Sequence, residues 1–528
     1  MGNALKTPRE YNLPAKFIDW RPHQKQAIDH LSNSDKQFIL QIQPTGSGKS
    51  LCYITDAILT KGRTLILTSG KGLQDQLARE FGSTLSLAVV KGKNAHRCRK
   101  LQEDSVPYFA SSCDWGPCNF GVPCEYRVKG CNYYDHIRRA KACKIVVTNY
   151  SFWGCNKPDT LGEFALLVCD EAHDSLLKLL GVLAFCVTRK EFDQVRLQGV
   201  YWPKPGFTNE EYWDWSEEVY EKLSDYLTTA KQELAVASLV KDPLFRARRK
   251  LHMKLKKLEG MTEPQWHVEV APYTLMYDPI WPANFSREYL FRDIPKVLMT
   301  SATVTPKVLE LLGIDKKDVD KVEYPSHFPK ESRPISWIKT VRMWHKMSNA
   351  EMRTWLSRID QIIRTRLDRK GIIHAVSYAR CERIMNVSDY SSYMYLHDSR
   401  DIQEVVAQFK KAKPPAILVS PSVVTGYDFP YTECEYQIIG KIPFQDLRKE
   451  VDKKRKKLDP EFGVCFAAQN LVQAAGRGMR AEDDKCEVFI IDDMFGWFQV
   501  QYNHFMPQWF KETVRQETLI PKPLEKLI

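Results

Sequence analysis

Residues 43–50 read Gln-Pro-Thr-Gly-Ser-Gly-Lys-Ser, and no other stretch restricts the fold of this chain as tightly. The apolar run Phe38-Ile39-Leu40-Gln41-Ile42 leads into it, and Leu51, Ile54 and Ile58 follow at helical spacing. The spacing predicts strand, loop and helix in succession. Gly46 and Gly48, with Thr45 and Ser47 between and beside them, leave backbone N–H groups open to wrap phosphate oxygens. Lys49 reaches the terminal phosphates, and the Ser50 hydroxyl can ligate Mg²⁺ at the helix N-terminus. The pattern departs from the usual phosphate loop at one place, Gln43, where a Gly is customary. Against a plain Gly-rich turn stands this flanking context, which predicts a site for ATP.

A length of 528 residues leaves room for about three to four domains. The net charge is +12, and the excess is clustered: residues 246–257 hold Arg246, Arg248, Arg249, Lys250, Lys254, Lys256 and Lys257 without an acid. Such a run suits a polyanion partner, although a solvated helix face is the commoner reading. No apolar stretch approaches the ~20 residues that span a bilayer, and the N-terminus has no signal-peptide core. The expectation is a cytoplasmic protein with no membrane partner.

The 14 cysteines are unevenly placed. Cys113-x4-Cys118-x5-Cys124 lies among Trp115, Gly116, Pro117, Gly121 and Pro123, turn-forming residues that let thiolates converge. Cys98 can add a fourth ligand from upstream, with Cys131 as the other candidate. Four thiolates suit Zn²⁺ or an iron-sulfur cluster, and gaps wider than Cys-x2-Cys lean toward iron-sulfur. Unligated thiols are the bland alternative.

Ala165-Leu166-Leu167-Val168-Cys169 reads as a buried strand that delivers Asp170-Glu171-Ala172-His173 at its carboxyl end. Asp170 can hold Mg²⁺, and Glu171 can position and deprotonate the water that attacks a γ-phosphate. Further strands are expected at Thr64–Thr68, Ile145–Thr148 and Val297–Thr300. A second set is expected at Gly371–Val376, Ala416–Ser420, Tyr436–Gly440 and Glu487–Asp492. The fold class is therefore α/β, with two parallel-sheet domains. Gln473-x2-Gly476-Arg477-x2-Arg480 precedes the last strand, where its arginines could reach across a cleft to the γ-phosphate.

Taken in order, these parts resemble superfamily 2 helicases, and among them the iron-sulfur branch typified by DinG and XPD, with cysteine spacing closer to bacterial DinG. Arg21-Pro22-x-Gln24 looks like the adenine-side motif, and Ser301-Ala302-Thr303 and Thr425-Gly426-Tyr427-Asp428 look like later landmarks. The resemblance implies two RecA-like motor domains. It assigns 1–95, 145–177 and 281–334 to the first, 96–144 to an iron-sulfur insert, 178–280 to a helical arch and 335–528 to the second. It implies Glu171, Lys49, Arg477, Arg480 and Gln473 as catalytic residues, Gln24 and Asp428 as further nucleotide contacts, and Cys98, Cys113, Cys118 and Cys124 as ligands of a [4Fe-4S] cluster. The implied activity is ATP-dependent, Mg²⁺-dependent 5′ to 3′ movement of a monomer on single-stranded DNA, with unwinding of forked or 5′-tailed duplex, or of a DNA–RNA hybrid. A translocase that strips proteins or RNA from DNA, and a nucleic-acid scaffold with a vestigial ATP site, are the competing classes.

Overall fold

Strands covered on both faces are written as continuous apolar runs, because no position on them meets water. Such runs build two parallel sheets. The computed structural model describes residues 5–259, 265–344, 346–398, 400–421, 427, 429–445, 448–479 and 483–525. The expected contacts Arg480 and Asp428, and Thr425-Gly426 beside the latter, lie outside the described residues.

Chain order gives β1 (Phe38–Ile42), β2 (Thr64–Thr68), β3 (Leu87–Val89), β4 (Ile145–Asn149) and β5 (Leu166–Asp170). Three strands of a separate unit follow: β6 (Phe185–Thr188), β7 (Trp266–Ala271) and β8 (Thr274–Pro279). The chain then returns with β9 (Lys296–Ser301) and β10 (Val319–Glu323). The first sheet is seven-stranded in the order β10-β1-β9-β5-β2-β4-β3, parallel throughout. Its central members β1, β5 and β9 carry Gln43, Asp170 and Ser301 to the same carboxyl edge, where an open parallel sheet binds ligands.

The second lobe is built from β11 (Ile335–Val341), β12 (Lys370–His374), β13 (Met394–Leu396), β14 (Ala416–Ser420), β15 (Tyr436–Ile439), β16 (Glu487–Asp492) and β17 (Val514–Glu517). They form a second seven-stranded parallel sheet, β13-β14-β12-β15-β16-β11-β17. The strand expected to run to Val376 stops at His374, and Val376 adopts φ 66°, a left-handed conformation that a β-branched residue cannot hold within a strand. The second lobe touches both the first lobe and the three-stranded unit. Lys307 of the first lobe pairs with Asp459 of the second at 2.6 Å, and Arg455 donates to the carbonyl of Pro279 in β8 at 2.6 Å.

The segment expected to be a helical arch is only partly helical. Its long helix, Asn209–Glu233, starts with a capping box at Thr208 and Glu211. That helix packs against Pro243–Leu255 and against an antiparallel three-stranded sheet, β6-β8-β7. The aromatic repeat on the helix faces inward: Trp213 and Trp215 are buried, Trp213 lies 6.2 Å from Trp266, and Tyr220 stacks on His252 at 4.8 Å. These rings are packing, not a platform for bases.

Candidate functional site

The loop after β1 turns on two glycines in the left-handed region, Gly46 at φ 79° and Gly48 at φ 78°. At Gly48 the constraint is also steric, since a Cβ would lie 2.4 Å from Gln24 Nε2. Gln24 donates from that nitrogen to the Ser47 carbonyl at 2.9 Å, and Arg21 donates to the Gly46 carbonyl at 2.8 Å. The loop carbonyls are thus tied back to the helix before β1, which leaves its N–H groups facing outward. The unusual Gln43 has a structural reason. Its buried side chain donates to Gln41 Oε1 at 2.9 Å, and Gln41 in turn donates to the Ala27 carbonyl at 2.7 Å. A polar ladder therefore supports the loop from below.

Lys49 and Ser50 open the helix Lys49–Leu59. Across the edge, β5 ends on buried Asp170, whose Oδ1 accepts the Glu171 N–H at 2.9 Å. Glu171 itself stands at φ 48°, a strained setting for a carboxylate residue that turns its side chain away from the strand. Ser301 donates to Glu171 Oε2 at 3.1 Å, His173 Nδ1 lies 2.7 Å from Ser301 Oγ and 3.2 Å from Glu171 Oε2. Burial would raise the Glu171 carboxyl, but the hydrogen bond and charge of His173, with the charges of Lys49 and Arg477, hold it well below the usual carboxylate range. His173 is raised above its ordinary 6.5 by Glu171, against its own burial. Asp170 goes the other way: burial first, and the charge of Glu171 second, push it up to about 7.

The second lobe closes the site. The helix Phe462–Ala475 brings Gln473 to Thr303, to which it donates at 3.0 Å, and Arg477 donates to Gln473 Oε1 at 3.2 Å. Gly476 faces the phosphate loop so closely that a Cβ there would lie 3.0 Å from Thr45 Oγ1. Trp509 donates from its indole to the Ala302 carbonyl at 3.2 Å. Lys49, Glu171 and Arg477 thus share one crevice between two lobes.

Two family descriptions match this chain: the type III restriction enzyme res subunit over residues 17–190, and the helicase C-terminal domain over 365–513. No curated protein matches it in sequence. Among solved structures it is similar to an XPD helicase, at 14% identity and TM-score 0.65, covering 94% of this chain and 98% of the other. It is also similar to Xpd4 of S. tokodaii, at 14% identity and TM-score 0.58, covering 94% and 100%. This chain carries a helicase C-terminal domain and shares the fold of XPD helicases.

Ser50 and Asp170 fit the Mg²⁺ that a phosphate-loop site implies. Tyr53 links them: its hydroxyl lies 3.2 Å from Ser50 Oγ and 3.1 Å from Asp170 Oδ2, so hydroxyl and carboxylate already face one another. Sequence reasoning passed over Tyr53, although its place one turn after Ser50 was a signal. It also gave no role to Trp509, whose partner is 207 positions away.

The cysteine insert gathers both candidate fourth ligands, Cys98 and Cys131, around Cys113. An antiparallel bridge between Arg97 and Ser112 sets Cys98 beside Cys113. Cys113 sits near Cys98 and Cys131: those two thiols and burial push its own up, and it brings theirs down. Cys98 and Cys131 each cap the N-terminus of a helix, Arg99–Glu103 and Asn132–Ala142, a setting that favours thiolate. Gly116 leaves room for them, since a Cβ there would lie 3.0 Å from Cys98 Sγ. Tyr133 feels the charges of Cys113, Cys118 and Cys131 together, after its own burial. Cys118 and Cys124 are both half-buried, and Cys124 feels the charges of Cys118 and Cys98. Among the described residues no three His, Cys, Asp or Glu side chains form a closed ion site.

The basic run 246–257 is engaged within the protein. Arg248 lies 4.0 Å over the Tyr226 ring and donates to the Val195 carbonyl at 2.8 Å; buried Arg249 lies 4.2 Å over Phe120 of the cysteine insert. Lys254 donates to Glu191 at 2.7 Å, and Lys257 to the Val182 carbonyl at 2.6 Å. These cations hold the arch together, and Arg249 ties it to the insert.

Proposed function

We propose that this protein is a helicase that uses ATP to move 5′ to 3′ along single-stranded DNA and to separate duplex strands at its cysteine insert. The observation that carries the reading is the unbroken polar chain Glu171–Ser301–Thr303–Gln473–Arg477, which joins the attacking-water position in one lobe to the phosphate-facing arginine of the other. A Mg²⁺ ion held by Ser50 and Asp170 would neutralise phosphate charge. Lys49 and Arg477 turn toward the triphosphate when it enters, and in doing so withdraw positive charge from Glu171. The Glu171 carboxylate then rises toward the range of a useful base and takes the proton of the attacking water, while His173 holds its orientation. Arg477 stabilises the charge that develops on the γ-phosphate. Loss of that phosphate loosens Arg477, the Gln473–Thr303 bond follows, and the lobes part, so that each cycle advances the strand. Arg480 and Asp428 complete the second lobe's share of the nucleotide site.

The insert would hold a [4Fe-4S] cluster on Cys113, Cys118 and Cys124, with Cys98, or Cys131 in its place, as the fourth ligand. Brown colour after anaerobic purification, lost in Cys113→Ser and Cys118→Ser, supports the cluster. Colourless protein with stoichiometric zinc overturns it. The activity is tested by ATP hydrolysis with and without single-stranded DNA, and by strand separation on forked and 5′-tailed duplexes, for native protein and Glu171→Gln. Stimulated hydrolysis with separation, both lost in the variant, is the expected result. Hydrolysis without separation makes the protein a translocase, and no stimulated hydrolysis defeats the reading.

A further inference from the structure

The arch carries a groove that none of the helicase chemistry uses. Two adjoining cavities, about 950 and 900 Å³, share Arg189, Asp193, Arg196 and Tyr273 as a common wall. One extends past Lys190 and Asp242, the other past Tyr201 and Lys204.

The charges in this groove do not cancel. Asp193 faces Arg189 at 3.8 Å, and Asp242 caps the helix Pro243–Leu255 by accepting the N–H groups of Leu244 and Phe245. Lys190, Arg196 and Lys204 remain, and all three are exposed. Arg196 is notable for its backbone. It stands at φ 49° just after the helix Arg189–Val195, a position that favours Gly, so an arginine there is retained at a cost to the turn. Arg248, from the internally engaged basic run, holds that turn by donating to the Val195 carbonyl at 2.8 Å.

Two aromatic rings line the same cavities. Tyr201 is 83% exposed and Tyr273 69%, unusual for rings of this size. Neither is on a loose loop. Trp215 donates from its indole to the Tyr201 carbonyl at 2.8 Å, and the Arg189 N–H donates to the Tyr273 carbonyl at 2.9 Å. Pro203 and Pro272 stiffen the flanking backbone, since each fixes its own φ. Rigidly mounted exposed rings beside unneutralised cations make a surface for stacked bases and phosphates, and the ring faces accept any base.

We propose that this groove binds single-stranded nucleic acid as a second contact, separate from the strand that runs through the motor. It rests on the reading of the protein as a nucleic-acid motor. Tyr201 and Tyr273 stack bases, and Lys190, Arg196 and Lys204 take phosphates.

The test uses the intact protein and a fluorescein-labelled oligothymidylate, with binding followed by anisotropy over a range of salt. Two variants are compared with native protein: Tyr201→Ala/Tyr273→Ala, and Lys190→Ala/Arg196→Gly/Lys204→Ala, where glycine suits the left-handed position and keeps the turn. Loss of one stacked base weakens binding roughly fivefold or more. Loss of three phosphate contacts lowers the slope of log affinity against log salt by about 2. Photo-crosslinking with bromouracil oligonucleotides is expected to label Tyr201 or Tyr273. Unchanged affinity and slope in both variants, with cross-links only elsewhere, overturn the groove and leave the motor reading intact. If native protein binds no single strand at all, it is the motor reading that fails.

Discussion

Arg366 is 0% exposed and Glu487, at the start of β16, 3%. They meet in a two-pronged pair, Nε to Oε2 at 2.9 Å and Nη2 to Oε1 at 2.7 Å. Glu487→Ala removes both acceptors and strands a guanidinium where water cannot reach it. Thr365 Oγ1 at 2.7 Å and the Pro521 carbonyl at 3.1 Å still accept from Arg366, but neither neutralises it. Breaking a buried pair from one side costs about 3 to 5 kcal/mol. In a lobe of this size each kcal/mol moves the midpoint by about 2 to 4 °C, so the second lobe is expected to melt about 6 to 20 °C lower. Differential scanning calorimetry of native and variant protein reads this directly. Arg366→Met/Glu487→Leu is expected to recover most of the loss, because the penalty comes from the orphaned charge and not from the missing bond. A Glu487→Ala midpoint within about 1 °C of native would refute the reasoning, since solvent or a rearranged acceptor would then be serving Arg366 at no cost.

Tyr53→Phe removes the hydroxyl between Ser50 and Asp170, and the Mg²⁺ concentration needed for half-maximal binding of a fluorescent ADP analogue is expected to rise about tenfold or more; an unchanged midpoint would deny Tyr53 that role. Glu191 in the arch is held at about 2, below its usual 4.5, because hydrogen bonds from Lys254 and Lys250 outweigh burial. A depressed carboxylate contributes stability above its unfolded value and loses it as pH falls toward the folded one. The stability gap between native protein and Glu191→Gln is therefore expected to be constant above pH about 4.5 and to shrink between about 4.5 and 2, as acid-titrated thermal melts will show.

What the sequence disclosed depended on how local the cause was. The phosphate loop was legible because its conformation is dictated by its own glycines and flanks. Thr64–Thr68, Ala416–Ser420 and Glu487–Asp492 appear at the expected bounds because strands buried on both faces need unbroken apolar runs. Val319–Glu323, at an edge and only half-buried, has no such run and left no signal. The antiparallel strands of the arch were hidden for a related reason, since their register depends on partners up to about ninety positions apart. The basic run was misleading for a different one: seven charges within twelve residues advertise a polyanion, yet folding brings them carbonyls, ring faces and the Glu191 carboxylate as partners. Gln43 looked like a departure until its partner Gln41 was placed beneath it. The cysteines could be counted but Cys98 and Cys131 not told apart, because each starts a separate helix that folding brings to Cys113.

The measurement that bears most directly on the shared site of Lys49, Glu171 and Arg477 is single-turnover ATP hydrolysis, with saturating single-stranded DNA, for native protein and Arg477→Ala. If the second lobe supplies the arginine that stabilises the transferring phosphoryl group, the variant binds ATP and hydrolyses it about 10³-fold or more slowly. Hydrolysis at the native rate in Arg477→Ala would contradict a site assembled between the two lobes.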